Sequence, residues 1–356
     1  NDRIQEILDL MEEARLDYFL ISDPQSIAYC TGYYNDPHER MFVFMVSKHG
    51  NHTLFMNDLF YLEHDLGVNI VWHKDGQDAI QTIVDEMHFP GRIGIDKNWA
   101  SHFLLDLMKK LPDAKYINAS PCVDLVRMKK DLQEQVLMIE SSKINDAVME
   151  EIIPFIQEGV SEKQLAKKLD ELFFKHHSTC YGAIVAFGKN AADPHHENDD
   201  TLLRKGDCVL IDMGCVYEGY CSDMTRTFFY GGIREDEMKV YEIVKKANEA
   251  AEAMIKPGVR LCDIDKCARD IIAEGGYTVE FNHRLGHFIG RDVHEWCDVS
   301  QNFDLEVQEG MTFSIEPGVY LQGEFGVRIE DLILVTKDGC KVLNSYPKDL
   351  RVIGND

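Results

Sequence analysis

Two stretches of the sequence repeat one another, and each is an apolar run that ends with an acid just before a glycine. One is "GDCVLIDMG", Gly206–Gly214, and the other is "GMTFSIEPG", Gly310–Gly318. When the two are aligned, Asp212 matches Glu316. A helix, a Gly-Val step and a second helix precede each stretch. The sequence therefore indicates an internal duplication, in which a pseudo-two-fold axis could bring the two acids together.

Each repeat also carries a second acid after a glycine-containing turn. Asp223 follows Asp212, and Glu330 follows Glu316. Neighbouring antiparallel strands hold side chains of one face about 5 Å apart, so each hairpin can present a pair of carboxylates. Four inward carboxylates would repel one another unless a cation neutralised them. The alternative is an ordinary acidic hairpin face in contact with solvent.

A histidine lies between the two acid-bearing hairpins. His287 occurs in "HRLGHFIG" with glycines on both sides, which allow close backbone approach. Together with the four acids it forms an oxygen-rich set with one imidazole. Such a set suits Mn²⁺, Co²⁺, Fe²⁺ or Zn²⁺ and disfavours copper or iron–sulfur chemistry. Bridging carboxylates commonly hold two metals about 3.5–4 Å apart, so the pattern makes a two-metal site a candidate.

The first part of the chain, residues 1–127, alternates strand and helix signals and is predicted to be an α/β domain. "DYFLI" and "SIAYCTGYY" are interpreted as strands, and "MFVFMVS" and "HTLFMND" as a hairpin around Gly50. We find no glycine-rich phosphate loop in the sequence, so nucleotide binding is not indicated.

The second predicted domain, residues 128–356, begins with a long helix from about Asp131. A capping box of Ser161 and Gln164 predicts that a further helix starts there. The apolar positions expected on the first helix are Val136, Ile144, Val148 and Ile152.

The charge balance restricts the partners. There are 62 acidic and 37 basic residues, a net charge of −25, which disfavours nucleic acid and anionic membrane surfaces. No apolar run approaches the ~20 residues of a membrane span, and the charged amphipathic start does not resemble a signal peptide. Ten cysteines without a CxxC motif indicate reduced thiols. We therefore expect a soluble, cytoplasmic protein.

Four segments resemble the metal-site motifs of the pita-bread metallopeptidases, a family that includes prolidase, aminopeptidase P, methionine aminopeptidase and the metal-free creatinase. They are "DMGCVYEGYCSDMTRT", "GHFIGRDVHE", "SIEPGVY" and "GVRIED". The resemblance covers the whole chain, since the first domain is similar to the creatinase-type N-terminal domain. It implies an α/β N-terminal domain followed by an α+β pita-bread domain with an internal pseudo-two-fold repeat.

By that resemblance, five residues are ligands of two divalent ions, with manganese expected first and cobalt, zinc or iron as alternatives. They are Asp212, Asp223, His287, Glu316 and Glu330. Asp223 and Glu330 are expected to bridge the two ions. A hydroxide between the ions is expected to attack the scissile carbonyl.

The resemblance also implies three catalytic roles. Glu316 is the candidate proton shuttle, and His195 and His294 resemble histidines that contact the substrate and stabilise the tetrahedral intermediate. His196 is expected to be a structural residue. The implied substrates are dipeptides or short peptides with proline in second position.

The choice between a dipeptidase and an aminopeptidase depends on residues around the pocket. We favour an Xaa-Pro dipeptidase over an aminopeptidase P that acts on longer peptides. The segment "NDPHER", Asn35–Arg40, resembles a bacterial prolidase loop that reaches an active site, with Asp36 and His38 as expected substrate contacts. If the loop crosses to the partner subunit, the protein is a homodimer.

Some positions depart from the family pattern. Arg291 occupies a place where relatives often have an aliphatic residue, and we expect it to bind the free carboxylate of a dipeptide, oriented by Asp298. A non-catalytic binding protein on the same fold, or creatinase-like chemistry, is disfavoured because relatives of these kinds usually lack metal ligands, and all five are present here.

Overall fold

The computed structural model describes residues 2–88 and 90–354, and it divides into two compact units with the boundary between Arg127 and Met128. The helices of the first part are α1 Asp2–Glu13, α2 Pro24–Thr31, α3 Ala79–Glu86, α4 Ser101–Lys110 and α5 Pro121–Met128. Its strands are β1 Tyr18–Ile21, β2 Val43–Ser47, β3 Thr53–Asn57, β4 Asn69–His73, β5 Arg92–Ile95 and β6 Lys115–Asn118.

These strands form one mixed sheet in the order β4-β3-β2-β1-β5-β6. The antiparallel pair β2 and β3 confirms the hairpin predicted around Gly50. Strand β1 is central and apolar on both faces, because Phe19 and Ile21 pack into one core while Tyr18 and Leu20 pack into the other. Burial on both faces explains why "YFLI" is a continuous apolar run without alternation.

The prediction of a strand at "SIAYCTGYY" is wrong, since most of this segment belongs to helix α2. The side chain of Asp23 caps the helix by accepting from the backbone N–H of Ser26 at 2.8 Å. Pro24 occupies the first turn, where its fixed φ suits a helix. Gly32 ends the helix with a φ of 77°. These start and stop signals decide the conformation over the apolar run between them.

The second unit contains the helices α6 Leu132–Ile152, α7 Glu162–Lys175, α8 Glu235–Met254 and α9 Leu261–Glu274. Its strands are β7 Thr179–Cys180, β8 Ile184–Phe187, β9 Cys208–Met213, β10 Cys215–Tyr217, β11 Tyr220–Cys221, β12 Met224–Tyr230, β13 Gly286–Phe288, β14 Glu295–Val299, β15 Thr312–Ile315, β16 Gly318–Leu321, β17 Phe325–Arg328, β18 Asp331–Val335, β19 Cys340–Val342 and β20 Val352–Ile353.

Two sheets of this unit carry the repeated stretches at corresponding places. Strand β9 pairs antiparallel with β12, and β15 pairs antiparallel with β18. Two helices precede each pair, α6 and α7 in the first repeat and α8 and α9 in the second. An antiparallel bridge between Thr225 and Glu330 joins the two halves. The acid-bearing strands therefore meet in the middle of the unit.

Both predicted helix starts are present. The carboxylate of Asp131 accepts from the N–H of Glu134, and the hydroxyl of Ser161 accepts from the N–H of Gln164, each in a complete capping box. The prediction that Val136 lies on the buried face of α6 is wrong, since it is 57% exposed. Among the described residues, no helix has both the length and the apolar character needed to cross a membrane.

Candidate metal centre and substrate cavity

A cavity of about 600 Å³ lies in the second unit, where the two acid-bearing hairpins meet. The four predicted acidic ligands and His287 all line it, together with His195 and His294. The residues that line it and that the sequence analysis left unassigned include Tyr181, His283, Arg284 and Arg328.

The imidazole of His287 lies at the centre of the acids. Its Nε2 is 3.5 Å from Oδ2 of Asp223, 3.6 Å from Oε1 of Glu316 and 3.8 Å from Oε1 of Glu330. The other ring nitrogen, Nδ1, is 3.2 Å from the carbonyl oxygen of Phe288. A proton donated from Nδ1 to that carbonyl leaves the Nε2 lone pair facing the acids, as metal ligation requires.

Local strand geometry places these groups. The backbone N–H of His287 donates to the hydroxyl of Ser314 at 3.0 Å, which ties β13 to β15. Gly286 permits this approach, because a Cβ there would lie 1.9 Å from the carbonyl oxygen of Ser314. The hydroxyl of Thr225 donates to Oε2 of Glu330 at 2.7 Å. His287 and Glu330 are thus each held by a residue of a neighbouring strand.

Charge repulsion and burial act together on the acids. Burial raises the pKa of Glu316 to about 7, and burial and the charge of Asp223 raise the pKa of Asp212 to about 6. Burial and the charges of Asp223 and Glu316 raise the pKa of Glu330 well above its ordinary value. Burial would lower the pKa of His287, but its hydrogen bond to Asp223 and the nearby carboxylates raise it. The cavity floor is therefore short of positive charge.

The donor set fits a hard divalent cation. Donor atoms of Asp223, His287 and Glu330 all lie within 4.8 Å of one another, and all three residues are buried. Asp212 and Glu316 lie outside that group but line the same cavity. Carboxylate oxygens with one imidazole nitrogen match the ligand preferences of Mn²⁺, Co²⁺, Fe²⁺ and Zn²⁺.

Arg328 is one of the two arginines of the cavity that were not assigned from the sequence. Nη2 of Arg328 donates to Oδ2 of Asp212 at 2.7 Å, and its Nη1 donates to the hydroxyl of Tyr320 at 3.0 Å. That hydroxyl also lies 2.8 Å from Nε2 of His283. Burial and the charge of Arg328 lower the pKa of His283 to about 3. The available signal was the position of this arginine inside "GVRIED", two residues before Glu330.

The two histidines predicted to contact substrate lie at the cavity wall. The ring centroid of His294 is 4.4 Å from that of His287. Burial and the charge of His287 lower the pKa of His294 to about 4, so it is neutral near pH 7. His195 is exposed, and its N–H donates to Oδ1 of Asp193 at 3.0 Å.

The structure places Arg291 away from its expected surroundings. Arg291 is not among the described residues that line the cavity, and its guanidinium carbon lies 5.4 Å from the ring centroid of Tyr220. The expected pairing of Asp298 with Arg291 is wrong, because Asp298 forms an ion pair with Arg284 at 2.9 Å. Arg284, unlike Arg291, is among the described residues that line the cavity.

Asp36 and His38 belong to the first unit, in the loop between α2 and β2. Both are exposed, and Oδ1 of Asp36 accepts from the N–H of His38 at 3.0 Å. His38 has a φ of 53°, a left-handed conformation that is uncommon for a residue other than glycine. Their contact with substrate stays a prediction.

Fold and motifs define the class of protein. Residues 136–337 match the model of metallopeptidase family M24, and residues 3–129 match that of the creatinase/prolidase N-terminal domain. The chain belongs to the M24 metallopeptidase family, and this membership implies the use of divalent metal ions. The predicted fold class, a creatinase-type domain followed by a pita-bread domain, is confirmed.

Particular relatives are similar over nearly the full length. An Xaa-Pro dipeptidase of Lactobacillus helveticus is 34% identical over 369 residues, covering 99% of this chain and 98% of the relative. The crystal structure of prolidase from Thermococcus sibiricus is 32% identical with a TM-score of 0.93, covering 99% and 98% of the two chains. The X-Pro aminopeptidase of Thermotoga maritima is 28% identical with a TM-score of 0.83, covering 97% and 100%.

Proposed function

We propose that the protein is an exopeptidase that cleaves the Xaa-Pro bond of dipeptides with the help of two divalent metal ions, manganese before cobalt, zinc or iron. The observation that carries the proposal is the convergence of three carboxylates, those of Asp223, Glu316 and Glu330, on Nε2 of His287, in a cavity that Asp212 also lines. The similarity to an Xaa-Pro dipeptidase and to a prolidase supports the choice of substrate.

The ligands proposed for the metal ions are Asp212, Asp223, His287, Glu316 and Glu330. Asp223 and Glu330 each have a carboxylate oxygen within 4.8 Å of the other's and of an imidazole nitrogen of His287. This spacing suits a bridging role. When bound, such ions supply Lewis acidity that polarises the scissile carbonyl and makes a water a nucleophile near neutral pH.

The chain's own groups orient the substrate and move protons. Glu316 lies on the cavity floor with Oε1 at 3.6 Å from Nε2 of His287, where a carboxylate can accept a proton and return it to the leaving nitrogen. His294 and His195 line the wall and can donate N–H groups to charge that develops on the carbonyl oxygen. The lowered pKa of His294 leaves its imidazole neutral near pH 7. It can therefore donate one hydrogen bond to the substrate without repelling the proposed metal cations.

One guanidinium group favours a substrate with a free carboxylate close to the scissile bond. Arg284 lines the cavity, whereas the terminal nitrogens of Arg328 already donate to Asp212 and Tyr320. A dipeptide ending in proline carries its carboxylate there, whereas a longer peptide carries an amide. An arginine can bind a carboxylate through two charge-assisted hydrogen bonds. The alternative is an aminopeptidase that accepts longer peptides, as in the relative from Thermotoga maritima.

The test compares peptides and metals directly. We expect protein stripped with a chelator to lose activity, and manganese to restore hydrolysis of an Xaa-Pro dipeptide more than of the matching Xaa-Pro-Xaa tripeptide. An Xaa-Ala dipeptide is the control for proline selectivity. Near-normal activity of protein shown to be free of metal would contradict the metallopeptidase mechanism. Faster tripeptide hydrolysis would instead favour the aminopeptidase.

Assembly and location complete the proposal. Exposed apolar side chains lie in the loops on either side of β2 and β3, including Tyr34 at 54%, Leu59 at 65% and Tyr61 at 76%. Such side chains suit contact with a second copy, in which Asp36 and His38 would reach the partner's substrate. A fully active monomer in sedimentation would contradict this role. The ten free cysteines suit a reducing, cytoplasmic compartment.

A further inference from the structure

A buried carboxylate at the start of α7 collects hydrogen bonds from a distant segment of the chain. Glu162 is completely buried. Its Oε1 accepts from the N–H of Phe187 and from Nδ2 of Asn190, both at 2.9 Å. Its Oε2 lies 2.6 Å from Nε2 of His196 and accepts from the N–H of Asp199 at 3.1 Å. One side chain therefore satisfies four nitrogen donors.

In the sequence, those donors lie on both sides of His195, one of the two histidines at the cavity wall that are expected to contact substrate. Phe187 and Asn190 precede it, while His196 and Asp199 follow it. The adjoining backbone reaches the cavity, because Nη1 of Arg328 donates to the carbonyl oxygen of Pro194 at 3.4 Å. Pro194, just before His195, is thus held by an arginine that lines the cavity, and His196, just after it, is held by Glu162.

The same cluster has the residue types of a metal site, since ligand atoms of Glu162, His196 and Asp199 lie within 4.8 Å of one another. Its hydrogen bonds argue against that use. The four donors already occupy the carboxylate of Glu162. Oδ1 of Asp199 accepts from the N–H of Thr201 at 2.7 Å. A cation would have to replace these contacts at the buried carboxylate of Glu162, where unsatisfied donors are costly.

We propose that Glu162 and His196 are positioning residues that hold His195 at the cavity wall. The inference rests on the proposed function, in which His195 contacts the substrate. A glutamine at position 162 would offer one acceptor oxygen where the carboxylate offers two, and its amide N–H would face other N–H donors. The segment from Phe187 to Asp199 would then move. A displacement of about 1 Å of a positioned group can cost on the order of 100-fold in rate.

The variants are Glu162→Gln, His196→Phe and the conservative His196→Gln, whose amide can still donate to Glu162. The matched control is Glu151→Gln. Oε1 of Glu151 lies 2.8 Å from Nε2 of His176, so this is a second glutamate–histidine pair, at the other end of α7. Neither of its members is among the described residues that line the cavity.

We expect Glu162→Gln and His196→Phe to lower kcat/KM for an Xaa-Pro dipeptide by about 10- to 100-fold, mainly through kcat. His196→Gln should recover most of the activity, and Glu151→Gln should stay within about twofold of wild type. Manganese affinity measured by calorimetry should not change, because Glu162 contacts no proposed ligand. Amide hydrogen exchange of residues 187–199 should rise at least tenfold in Glu162→Gln, without change at the end of α7.

Unchanged exchange in residues 187–199, or unchanged kcat/KM in both Glu162→Gln and His196→Phe, would overturn the proposal. A loss of manganese affinity that matches the loss of activity would also overturn it, because the pair would then act on the metal ligands. If the wild-type protein hydrolyses neither the dipeptide nor the tripeptide, the proposed function fails. In that case, the exchange of residues 187–199 alone decides whether the pair fixes His195.

Discussion

Replacing Glu330 by glutamine should stabilise or leave unchanged the metal-free protein while removing its stabilisation by metal. Glu330 is 1% exposed, and Asp223 and Glu316 share its cavity. Burial and those two charges raise its pKa above the ordinary value of 4.5. Glutamine keeps the size of the side chain, and its oxygen can still accept from the hydroxyl of Thr225. The substitution therefore removes the charge with little change in packing.

Folding raises the pKa of Glu330, and this direction decides whether its ionisation stabilises or destabilises the metal-free protein. A carboxyl whose pKa is higher in the folded state holds its proton longer there, so the folded state loses stability as pH rises above about 4.5. A pKa that folding raises by one pH unit corresponds to a loss of about 1.4 kcal/mol once the group is ionised. At pH 8, metal-free Glu330→Gln should therefore melt no lower than metal-free wild type.

With metal bound, the wild-type protein should melt at a higher temperature than the Glu330→Gln variant. An ion at 100 times its Kd adds about 2.7 kcal/mol to the wild-type free energy of unfolding. At roughly 2–4 °C per kcal/mol for a domain of this size, the wild-type Tm should rise by about 5–10 °C. The variant lacks an anionic ligand between the proposed ion positions, and its Tm should rise by less than about 2 °C at the same concentration.

The assay is thermal unfolding at pH 8, with chelator and then with increasing manganese. Glu324→Gln, an exposed glutamate in the turn between β16 and β17, is the control and should behave as wild type in both conditions. An equal manganese-induced rise in Tm in Glu330→Gln would show that Glu330 is not a ligand. A metal-free variant that melts several degrees below metal-free wild type would refute the argument that its buried charge is destabilising.

Two further predictions concern the cavity wall. Arg284→Leu should lower kcat/KM for Xaa-Pro dipeptides by about tenfold or more while barely changing that for tripeptides, because it removes a guanidinium that lines the cavity. Arg291→Leu, beside Tyr220, should change both substrates equally, and a loss confined to dipeptides would return the role to Arg291. His283 has a pKa of about 3, lowered from 6.5 by burial and by Arg328, so its contribution to stability is complete above pH 6.5 and is lost toward pH 3. The loss is at most about 1.4 kcal/mol per pH unit. The Tm of metal-free His283→Gln should therefore fall less steeply than that of metal-free wild type between pH 6 and 4. An equally steep fall in the two proteins would contradict a lowered pKa of His283.

Patterns of sequence predicted the elements whose cause is local. The capping boxes at Asp131 and Ser161 and the hairpin around Gly50 depend on a few adjacent residues, and the structure contains all three. Helix α2 was misjudged because its apolar run is too short to show a period, while the Asp-Pro start and the Gly32 stop were decisive.

The buried face of α6 could not be recognised by hydrophobicity, because part of it is polar. Ser141 and Asn145 are completely buried while Val136 is exposed. The hydroxyl of Ser141 donates to the carbonyl oxygen of Tyr220 at 3.2 Å. This helix packs against strand ends whose carbonyls need donors, so small polar residues replace apolar ones there.

The site shows the same division between local and distant causes. The order of the acids and of His287 along the chain was enough to propose a ligand set, because the internal duplication repeats the acid-bearing motif. Arg328 and His283 could not be assigned in this way, since Arg328 pairs with Asp212, 116 residues away, and His283 contacts Tyr320, 37 residues away. Only the fold brings these four side chains together.

The internal duplication also includes two asparagines that hydrogen-bond to the acid-bearing strands β9 and β15. Nδ2 of Asn145, on α6, donates to the carbonyl oxygen of Met213 at 3.0 Å, one residue after Asp212. Nδ2 of Asn248, on α8, donates to the carbonyl oxygen of Ile315 at 3.0 Å, one residue before Glu316. Both asparagines are completely buried. Met213 and Ile315 are the last residues of strands β9 and β15, and a buried carbonyl at a strand end needs a hydrogen-bond donor. Each repeat therefore ends its acid-bearing strand with an asparagine from its own long helix, which keeps the acid at the end of the strand facing the cavity.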